Sequence, residues 1–197
     1  MVNHSAATPK LEASLADRPW PTARAMLFDG HEPRISLPMV EEARRRGTST
    51  VLDAGSLHEG TAKLAGVVDY LVASERFAAQ ATGSTDPEEA LRRLAASHPC
   101  VVVTLGERGL LWSSRGKRGR LPAYSIACVD STGAGDAFHG AFALGVARRM
   151  TWEDLLYFAS AAGALACTRL GARQGLPSAE EVASLHVSQS SYPRRGG

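Results

Sequence analysis

The feature that most constrains the fold is the alternation, from Ala25 onward, of short apolar runs with longer helical patterns. The short runs are rich in β-branched residues and have the length of buried strands; they cover residues 25–28, 50–53, 67–73 and 100–105. Each run is followed by a turn or by the start of a helix, an order typical of a mainly parallel sheet with helices on both faces. The sequence therefore predicts an α/β fold.

Capping patterns mark the starts of three helices. In each, a residue that accepts hydrogen bonds from free backbone N–H groups is followed three positions later by a carboxylate. The three pairs are Asp86 with Glu89, Thr151 with Asp154, and Ser178 with Glu181. We expect the first helix to reach about residue 98, and the second to be largely buried and to stop at Gly171.

The size and charge of the chain indicate one ordinary globular domain. Its 197 residues, 44% of them hydrophobic, suffice for a single sizeable core. We interpret residues 1–24 as an unpacked leader, 25–187 as the domain and 188–197 as a flexible tail. With 22 basic and 20 acidic residues, the chain has no strong field for nucleic acid or an anionic membrane.

Two basic runs favour local structural roles over binding to a polyanion. Three arginines at 44–46 precede Gly47 at the end of a predicted helix, where cations stabilise the negative end of the helix dipole. Residues 115–120 lie between two strand-like runs, and we interpret them as the solvated tip of a hairpin.

The cysteines and the amino terminus bear on the cellular compartment. Cys100, Cys128 and Cys167 lie far apart in apolar surroundings, which indicates buried thiols in a reducing compartment rather than disulfides or a metal site. The first 24 residues are polar and contain three prolines, so they lack the apolar core of a secretory signal. The longest weakly apolar run, 159–167, is too short to cross a bilayer. We expect a cytoplasmic protein.

The stretch most informative about chemistry runs from Val129 to Gly140, where small residues lie at the start of an apolar helix after a strand-like run. Free backbone N–H groups of residues 133–136 would form a cradle for an anion such as phosphate, called the anion cradle below. Gly133 and Gly135 lack the Cβ atoms that would keep a phosphoryl group away, and Ala134 is nearly as small.

Asp136 follows the cradle directly. A carboxylate repels a resting phosphate, yet it is well placed to accept a hydroxyl proton during phosphate transfer, so we interpret Asp136 as the general base of a kinase. On this motif alone, a purely structural turn in which Asp136 stabilises the helix dipole remains open.

Other glycine-rich signatures fail on spacing. A Walker loop requires a Lys-Ser/Thr pair that the chain lacks, and a dinucleotide fingerprint, as in an oxidoreductase, requires glycine where Phe138 stands. The upstream strand, glycine turn and return strand at 100–112 is also compatible with an ordinary hairpin. The combination of this segment with the anion cradle favours the kinase interpretation.

Three stretches together resemble the ribokinase-like (PfkB family) carbohydrate kinases: Thr104 to Gly109, Asp130 to Asp136, and Thr168 to Ala172. The resemblance covers residues 25–185 and looks nearest to bacterial fructokinase-like and sulfofructose-kinase-like members. It implies a three-layer α/β/α fold with a mainly parallel sheet, from which the family's N-terminal strands and lid are missing.

The resemblance also implies roles for individual residues. Asp136 resembles the catalytic base, and the amides of Gly133, Ala134 and Gly135 resemble the hole for the γ-phosphate of ATP. Contacts to the nucleotide are implied for Thr104, Gly106, Gly109, Ser74 and Ser160, together with Gly135 and Asp136. Mg²⁺ would arrive on the ATP phosphates.

A monovalent cation site, suited to K⁺, is implied by the same resemblance. Its ligands would be the side chains of Asp130 and Thr132 with the backbone carbonyls of Ala166, Arg169 and Gly171. Gly175 stands where some members have serine. Residues 74–77 replace the family's Asn-x-x-Glu pattern, with the acid out of register.

The sequence thus predicts ATP-dependent phosphorylation of a sugar or related polyol, with sugar and ATP as small-molecule partners. The alternative is a truncated or degenerate relative that binds nucleotide without turnover. The identity of the sugar is not readable, and a homodimer remains open. Asp53 and Gly55 either line the substrate cleft or end a strand. His139 either approaches the substrate or the nucleotide, or makes a structural hydrogen bond.

Overall fold

The protein, seen here as a computed structural model that describes residues 22–189, contains one six-stranded sheet. The strands are β1 (Ala25–Phe28), β2 (Ser49–Ala54), β3 (Tyr70–Ser74), β4 (Cys100–Thr104), β5 (Leu110–Ser114) and β6 (Lys117–Leu121). They lie in chain order; β1 to β4 run parallel, and β5 and β6 are antiparallel to their predecessors. The predicted α/β class with a mainly parallel sheet is confirmed.

Helices cover both faces of this sheet. Within the described residues they are α1 (Pro33–Arg46), α2 (Glu59–Ala65), α3 (Glu75–Thr82), α4 (Pro87–Ala95), α5 (Ala134–Ala147), α6 (Trp152–Ala166) and α7 (Ala179–Gln189). The first four pack on one face, α5 and α6 pack on the other, and α7 packs on α6.

The alternation of side chains along the strands builds the two cores. In β4, Val101 and Val103 join the cluster under α1 to α4, whereas Val102 joins the cluster under α5 and α6. All three are at most 1% exposed. Burial of such a side chain contributes about 1.5–3 kcal/mol, so the valine run in the middle of the sheet stabilises both layers at once.

The three predicted helix caps are confirmed. The Asp86 carboxylate accepts from the Glu88 amide at 3.1 Å, and the Thr151 hydroxyl accepts from the Asp154 amide at 3.2 Å. Ser178 and Glu181 bond reciprocally, amide to side chain in both directions, at 2.7 and 3.3 Å. These caps fix where α4, α6 and α7 begin.

Three predicted element bounds are wrong. α4 ends at Ala95 rather than near residue 98, because the amides of Ser97 and His98 both bond to the Leu94 carbonyl in a turn. β3 begins at Tyr70 rather than at Val67, because the amides of Val67 and Val68 bond to the Leu64 carbonyl and complete the end of α2. The helix that begins after Thr151 ends at Ala166, ahead of the predicted stop at Gly171.

The hairpin between β5 and β6 is shorter than predicted. Its turn consists of Arg115 and Gly116, both with positive φ, and Lys117 to Arg120 pair with β5 instead of forming the tip. Three residues of that basic run are nevertheless exposed at the edge strand, where charges discourage pairing with another sheet.

The connection from β6 to α5 also differs from expectation. Residues 122–133 form no strand, so the strand-like run predicted before the anion cradle is irregular backbone. Cys128 lies in this connection and is exposed, which corrects the prediction of a buried thiol; Cys100 and Cys167 are half-buried. All three are free thiols.

Part of the predicted leader packs on the sheet. The carbonyls of Ala23 and Arg24 accept hydrogen bonds from the Thr48 hydroxyl and the Ser49 amide, at 2.8 and 3.1 Å. The remainder of the predicted leader, residues 1–21, and residues 190–197 of the predicted tail lie outside the described residues. Between residues 22 and 189, every helix is too short or too polar to cross a bilayer.

Candidate active site

Polar residues gather at one edge of the sheet, where the parallel strands end. Asp29 follows β1, Asp53 lies near the end of β2, and Ser74 pairs in register with Thr104 at the ends of β3 and β4. Carboxyl ends of parallel strands are where ligands bind in sheets of this kind. A cleft of about 580 Å³ opens there and is lined by Asp29, Asp53, Asp136, His139 and apolar residues of β1 and α1.

The start of α5 is built around Gly133. This residue has φ +81° and ψ 0°, a left-handed conformation that favours glycine. A Cβ atom here would lie 2.7 Å from the Cβ of Ala172, so the turn packs tightly on the chain that leaves α6. Glycine is required at 133 both for conformation and for space.

The amides of the predicted anion cradle differ in availability. The Ala134 amide donates to the Ser131 carbonyl at 3.2 Å. Within residues 22–189, the amides of Gly133, Gly135 and Asp136 have no protein acceptor. A Cβ atom at Gly135 would meet nothing within 4 Å, so open space adjoins the free amides. The arrangement has the donors and the room that a phosphoryl group needs.

Asp130 ties the cradle to the loop after α6. Its carboxylate accepts from the Thr132 amide at 2.9 Å and from the Gly171 amide at 2.8 Å. The hydrogen bonds from Thr132, followed by that from Gly171, lower the pKa of Asp130. A second link is the bond from the Val129 amide to the Cys167 carbonyl, at 2.7 Å.

Three carbonyls predicted to bind a monovalent cation converge beside Gly175. A Cβ atom at Gly175 would lie 2.8 Å from the Ala166 oxygen, 3.0 Å from the Gly171 oxygen and 3.6 Å from the Arg169 oxygen. A ring of backbone carbonyls is the donor set that replaces the hydration shell of K⁺. The residues present therefore fit the expected ion. Among residues 22–189 there is no cluster of three or more His, Cys, Asp or Glu side chains suited to another metal.

The predicted nucleotide segment is a tight connection between β4 and β5. Gly106 to Arg108 form a single 3-10 turn, closed by a 2.8 Å bond from the Leu105 amide to the Gly109 carbonyl. Gly109 has φ +86°, and a Cβ atom there would lie 2.0 Å from the Leu121 carbonyl oxygen. The Thr104 hydroxyl donates to the Ala73 carbonyl at 3.4 Å.

Of two further residues predicted to contact nucleotide, Ser74 directly precedes a helix and Ser160 lies within one. Ser74 caps α3: its hydroxyl accepts from the Phe77 amide at 3.0 Å and donates to the Gly55 carbonyl at 2.7 Å. Ser160 is half-buried in α6. One turn later, Gly163 packs against the start of α5, where a Cβ atom at Gly163 would lie 3.2 Å from the Ala134 carbonyl oxygen. Glu75, the acid out of register with the family pattern, forms an ion pair with Arg108.

His139 and Asp53 are brought together by the fold. His139 is 4% exposed, and its Nε2 lies 3.4 Å from an oxygen of Asp53. Burial raises the pKa of Asp53; positive charge on His139 opposes this rise and the carboxylate of Asp136 adds to it. Asp53 lines the cleft, while His139 both lines it and makes internal hydrogen bonds.

Asp29 was missed by the sequence reasoning. It lines the cleft and adds to the negative charge around Asp53. The available signal was its position: like Asp53, it is an acid at the carboxyl end of an apolar strand. Nothing local to Asp29 distinguishes a cleft residue from an ordinary turn residue.

The fold and the site together define a class: an α/β protein with free amides at a glycine-rich helix start, a carboxylate beside them and a cleft at the strand ends. Comparison with known proteins makes this specific. The sequence model of the pfkB family of carbohydrate kinases matches residues 35–179. The chain belongs to the pfkB carbohydrate kinase family, which confirms the resemblance seen in the three motifs.

Individual relatives agree with this assignment. The ribokinase of Haemophilus influenzae is 26% identical over 146 residues, 71% of this chain and 48% of that protein. A provisional ribokinase of Agrobacterium tumefaciens superposes with a TM-score of 0.82 at 30% identity, over 86% of this chain and 57% of that one. Arabidopsis thaliana ribokinase, solved with ribose and ATP, gives a TM-score of 0.76 at 26% identity, over 83% of this chain and 56% of its own. The chain spans about half the length of these relatives.

Proposed function

We propose that this chain carries the phosphate-transfer site of an ATP-dependent kinase for a sugar or related polyol. The observation that carries the proposal is the start of α5, where free amides and open space adjoin Asp136 at the edge of the cleft. The Arabidopsis relative binds ribose and ATP, which supports both substrate classes for this chain.

In this proposal the reaction is a direct transfer. The Asp136 carboxylate accepts the proton of a substrate hydroxyl as its oxygen attacks the γ-phosphorus, and the bond from that phosphorus to the bridging oxygen of ADP breaks. The amides of Gly133, Gly135 and Asp136 stabilise negative charge on the transferred group. The Ala134 amide joins them only if its bond to Ser131 opens.

The nucleotide is assigned to the segment from Thr104 to Gly109, with Ser74 and Ser160 as further contacts. Mg²⁺ bound to the ATP phosphates would neutralise charge on them. Because Glu75 is paired with Arg108, we expect the nucleotide to supply most of the Mg²⁺ ligands.

We assign K⁺ to the carbonyls of Ala166, Arg169 and Gly171, with Asp130 and Thr132 beside them. The Asp130 carboxylate accepts from the Gly171 amide and from the Thr132 amide just before the cradle, so an ion held there would order the amides that receive the phosphate. The expected homodimer and cytoplasmic location stay predictions.

The test is ADP release by the purified chain with Mg-ATP and K⁺ across a panel of ketoses, aldoses and nucleosides. We expect one sugar class to stimulate ADP release, Asp136→Asn to reduce kcat by about 100-fold or more, and nucleotide affinity to change little. Replacing K⁺ by a bulky organic cation should lower kcat.

The alternative, a relative that binds nucleotide without turnover, predicts a different result. ATP binding would then be measurable in the wild type and in Asp136→Asn alike, with no sugar-dependent ADP release in either. A loss of nucleotide binding in Asp136→Asn would leave the role of base unsupported.

A further inference from the structure

The side chain of His139 lies behind the anion cradle and takes no part in the reaction described above. It projects from the second turn of α5 and is 4% exposed. Its Nδ1 lies 2.6 Å from the carbonyl oxygen of Gly135, and its Nε2 lies 3.3 Å from the carbonyl oxygen of Val72 and 3.4 Å from an oxygen of Asp53. A single buried ring thus joins α5 to β2 and β3.

The partners of this ring constrain its protons. Backbone carbonyls only accept hydrogen bonds, and an ionised carboxylate only accepts. A neutral imidazole has one N–H, so it would direct a lone pair at one of these acceptors unless Asp53 donates a proton to Nε2. The shortest of the three contacts, 2.6 Å from Nδ1 to the Gly135 carbonyl oxygen, requires the N–H on Nδ1.

The bond to Gly135 acts on the peptide group that enters the cradle. The peptide between Gly135 and Asp136 is planar and trans, so its C=O and N–H point in opposite directions. A donor that fixes the carbonyl from behind also fixes the direction of the Asp136 N–H, which is one of the free amides. The same contact limits rotation at the residue that carries the base.

We propose that His139 and Asp53 form a positioning pair for the transfer reaction, in which the imidazole holds the Gly135 carbonyl and thereby directs the Asp136 amide and carboxylate into the cleft. The inference rests on the proposed kinase function. It gives His139 a role in aligning the catalytic groups that goes beyond filling the core.

Titratable side chains from α5 and from the loop after β1 surround the pair. Asp136 lies on the same helix, Asp29 follows β1, and His31 lies two residues further; together with His139 these act on the charge of Asp53. His139 thus contacts Asp53 in a cleft that holds two further carboxylates, Asp29 and Asp136. Removing the imidazole should be partly offset when Asp53 is neutralised as well, which a double-mutant cycle measures.

His98 is a matched control. Its Nδ1 lies 2.7 Å from the carbonyl oxygen four residues earlier, that of Leu94, so it makes the same local bond as His139. It follows α4, and its Nε2 is buried without a partner among the described residues. It is not among the residues that line the cleft.

The experiment measures kcat, the KM for ATP and thermal stability in matched variants. His139→Phe should lower kcat about 10- to 100-fold, as expected for misaligned reacting groups, with a much smaller change in the KM for ATP. His139→Asn should recover part of kcat, because its amide nitrogen can replace Nδ1 as donor to Gly135. His98→Phe and His98→Asn should change stability only. Asp53→Asn should rescue part of the loss in His139→Phe.

An unchanged kcat per folded molecule in His139→Phe would overturn the proposal, as would equal losses in the His98 variants. A second readout is independent of turnover: long-range ¹H–¹⁵N spectra of the histidine side chains at neutral pH. We expect a proton on Nδ1 of His139, as the bond to the Gly135 carbonyl requires, and a changed Nε2 signal in Asp53→Asn. A lone pair on Nδ1 refutes the pair. If the wild type shows these signals but no sugar-dependent turnover, the kinase proposal fails instead.

Discussion

At the scale of single residues, alanine substitutions at three glycines of the α5 region should have separable effects on stability and on kcat. Gly133→Ala places a side chain at φ +81° and 2.7 Å from Ala172, so it should destabilise the fold by about 1–2 kcal/mol or more. Gly135→Ala meets no atom within 4 Å and should leave stability unchanged or slightly raised, yet its methyl group enters the phosphate space and should lower kcat.

Gly140→Ala is the control for this series. Its Cβ would also meet nothing within 4 Å, and it lies on the exposed side of α5, so the substitution should stabilise by up to about 1 kcal/mol with kcat unchanged. Urea unfolding and steady-state kinetics on the three variants check the series. A Gly135→Ala protein with the kcat and KM of the wild type would contradict the assignment of the cradle.

At the scale of elements, two helix caps offer a comparison between structure and binding. Asp86 caps α4 and Ser74 caps α3, each through a side-chain oxygen that accepts from a backbone amide. Alanine at either position should lower the free energy of unfolding by about 1 kcal/mol. Only Ser74→Ala should also raise the KM for ATP, since Ser74 is assigned to the nucleotide site. An equal KM for ATP in the two variants would mean that Ser74 caps α3 and does not contact the nucleotide.

The stability of the packing between α6 and α7 depends on pH through the ionisation of Tyr124. This side chain packs against the cluster of Ala161, Ala162 and Val182, and burial, with a contribution from Tyr157, raises its pKa to about 12. A free tyrosine titrates near pH 10, so the unfolded chain ionises first and the folded state loses stability as pH rises from about 10 to 12. In Tyr124→Phe, the urea midpoint should fall less between pH 9 and 11. An equal fall in the urea midpoint of the variant would mean that another group causes the loss of stability at alkaline pH.

Elements were predictable where the signal is local. The caps at Asp86, Thr151 and Ser178 depend on residues two or three positions apart, and all three were predicted. The end of α6 at Ala166 was not, because it is set by tight turns and by contacts of the following loop with the Asp130 carboxylate. Cys128 has apolar neighbours in sequence, but its connection lies at the surface.

At the scale of the whole molecule, the cleft is assembled from distant parts of the chain. Asp29 follows β1, Asp53 lies in β2 and His139 lies in α5, and strand order decides that they meet. The sequence placed Asp136 and the cradle through one specific motif, whereas it left Asp53 and His139 open and missed Asp29. Residues that act through long-range packing have no distinctive local spacing, so only the fold reveals them.

We propose that Asp136 and the anion cradle transfer a phosphoryl group from ATP to a sugar hydroxyl. The most direct measurement follows label from [γ-³²P]ATP into sugar phosphate, using the best sugar of the panel with Mg²⁺ and K⁺, in wild type and Asp136→Asn. We expect labelled sugar phosphate from the wild type and a loss of about 100-fold or more in the variant. Label found only in inorganic phosphate, or equal labelling of the sugar by both proteins, would contradict it.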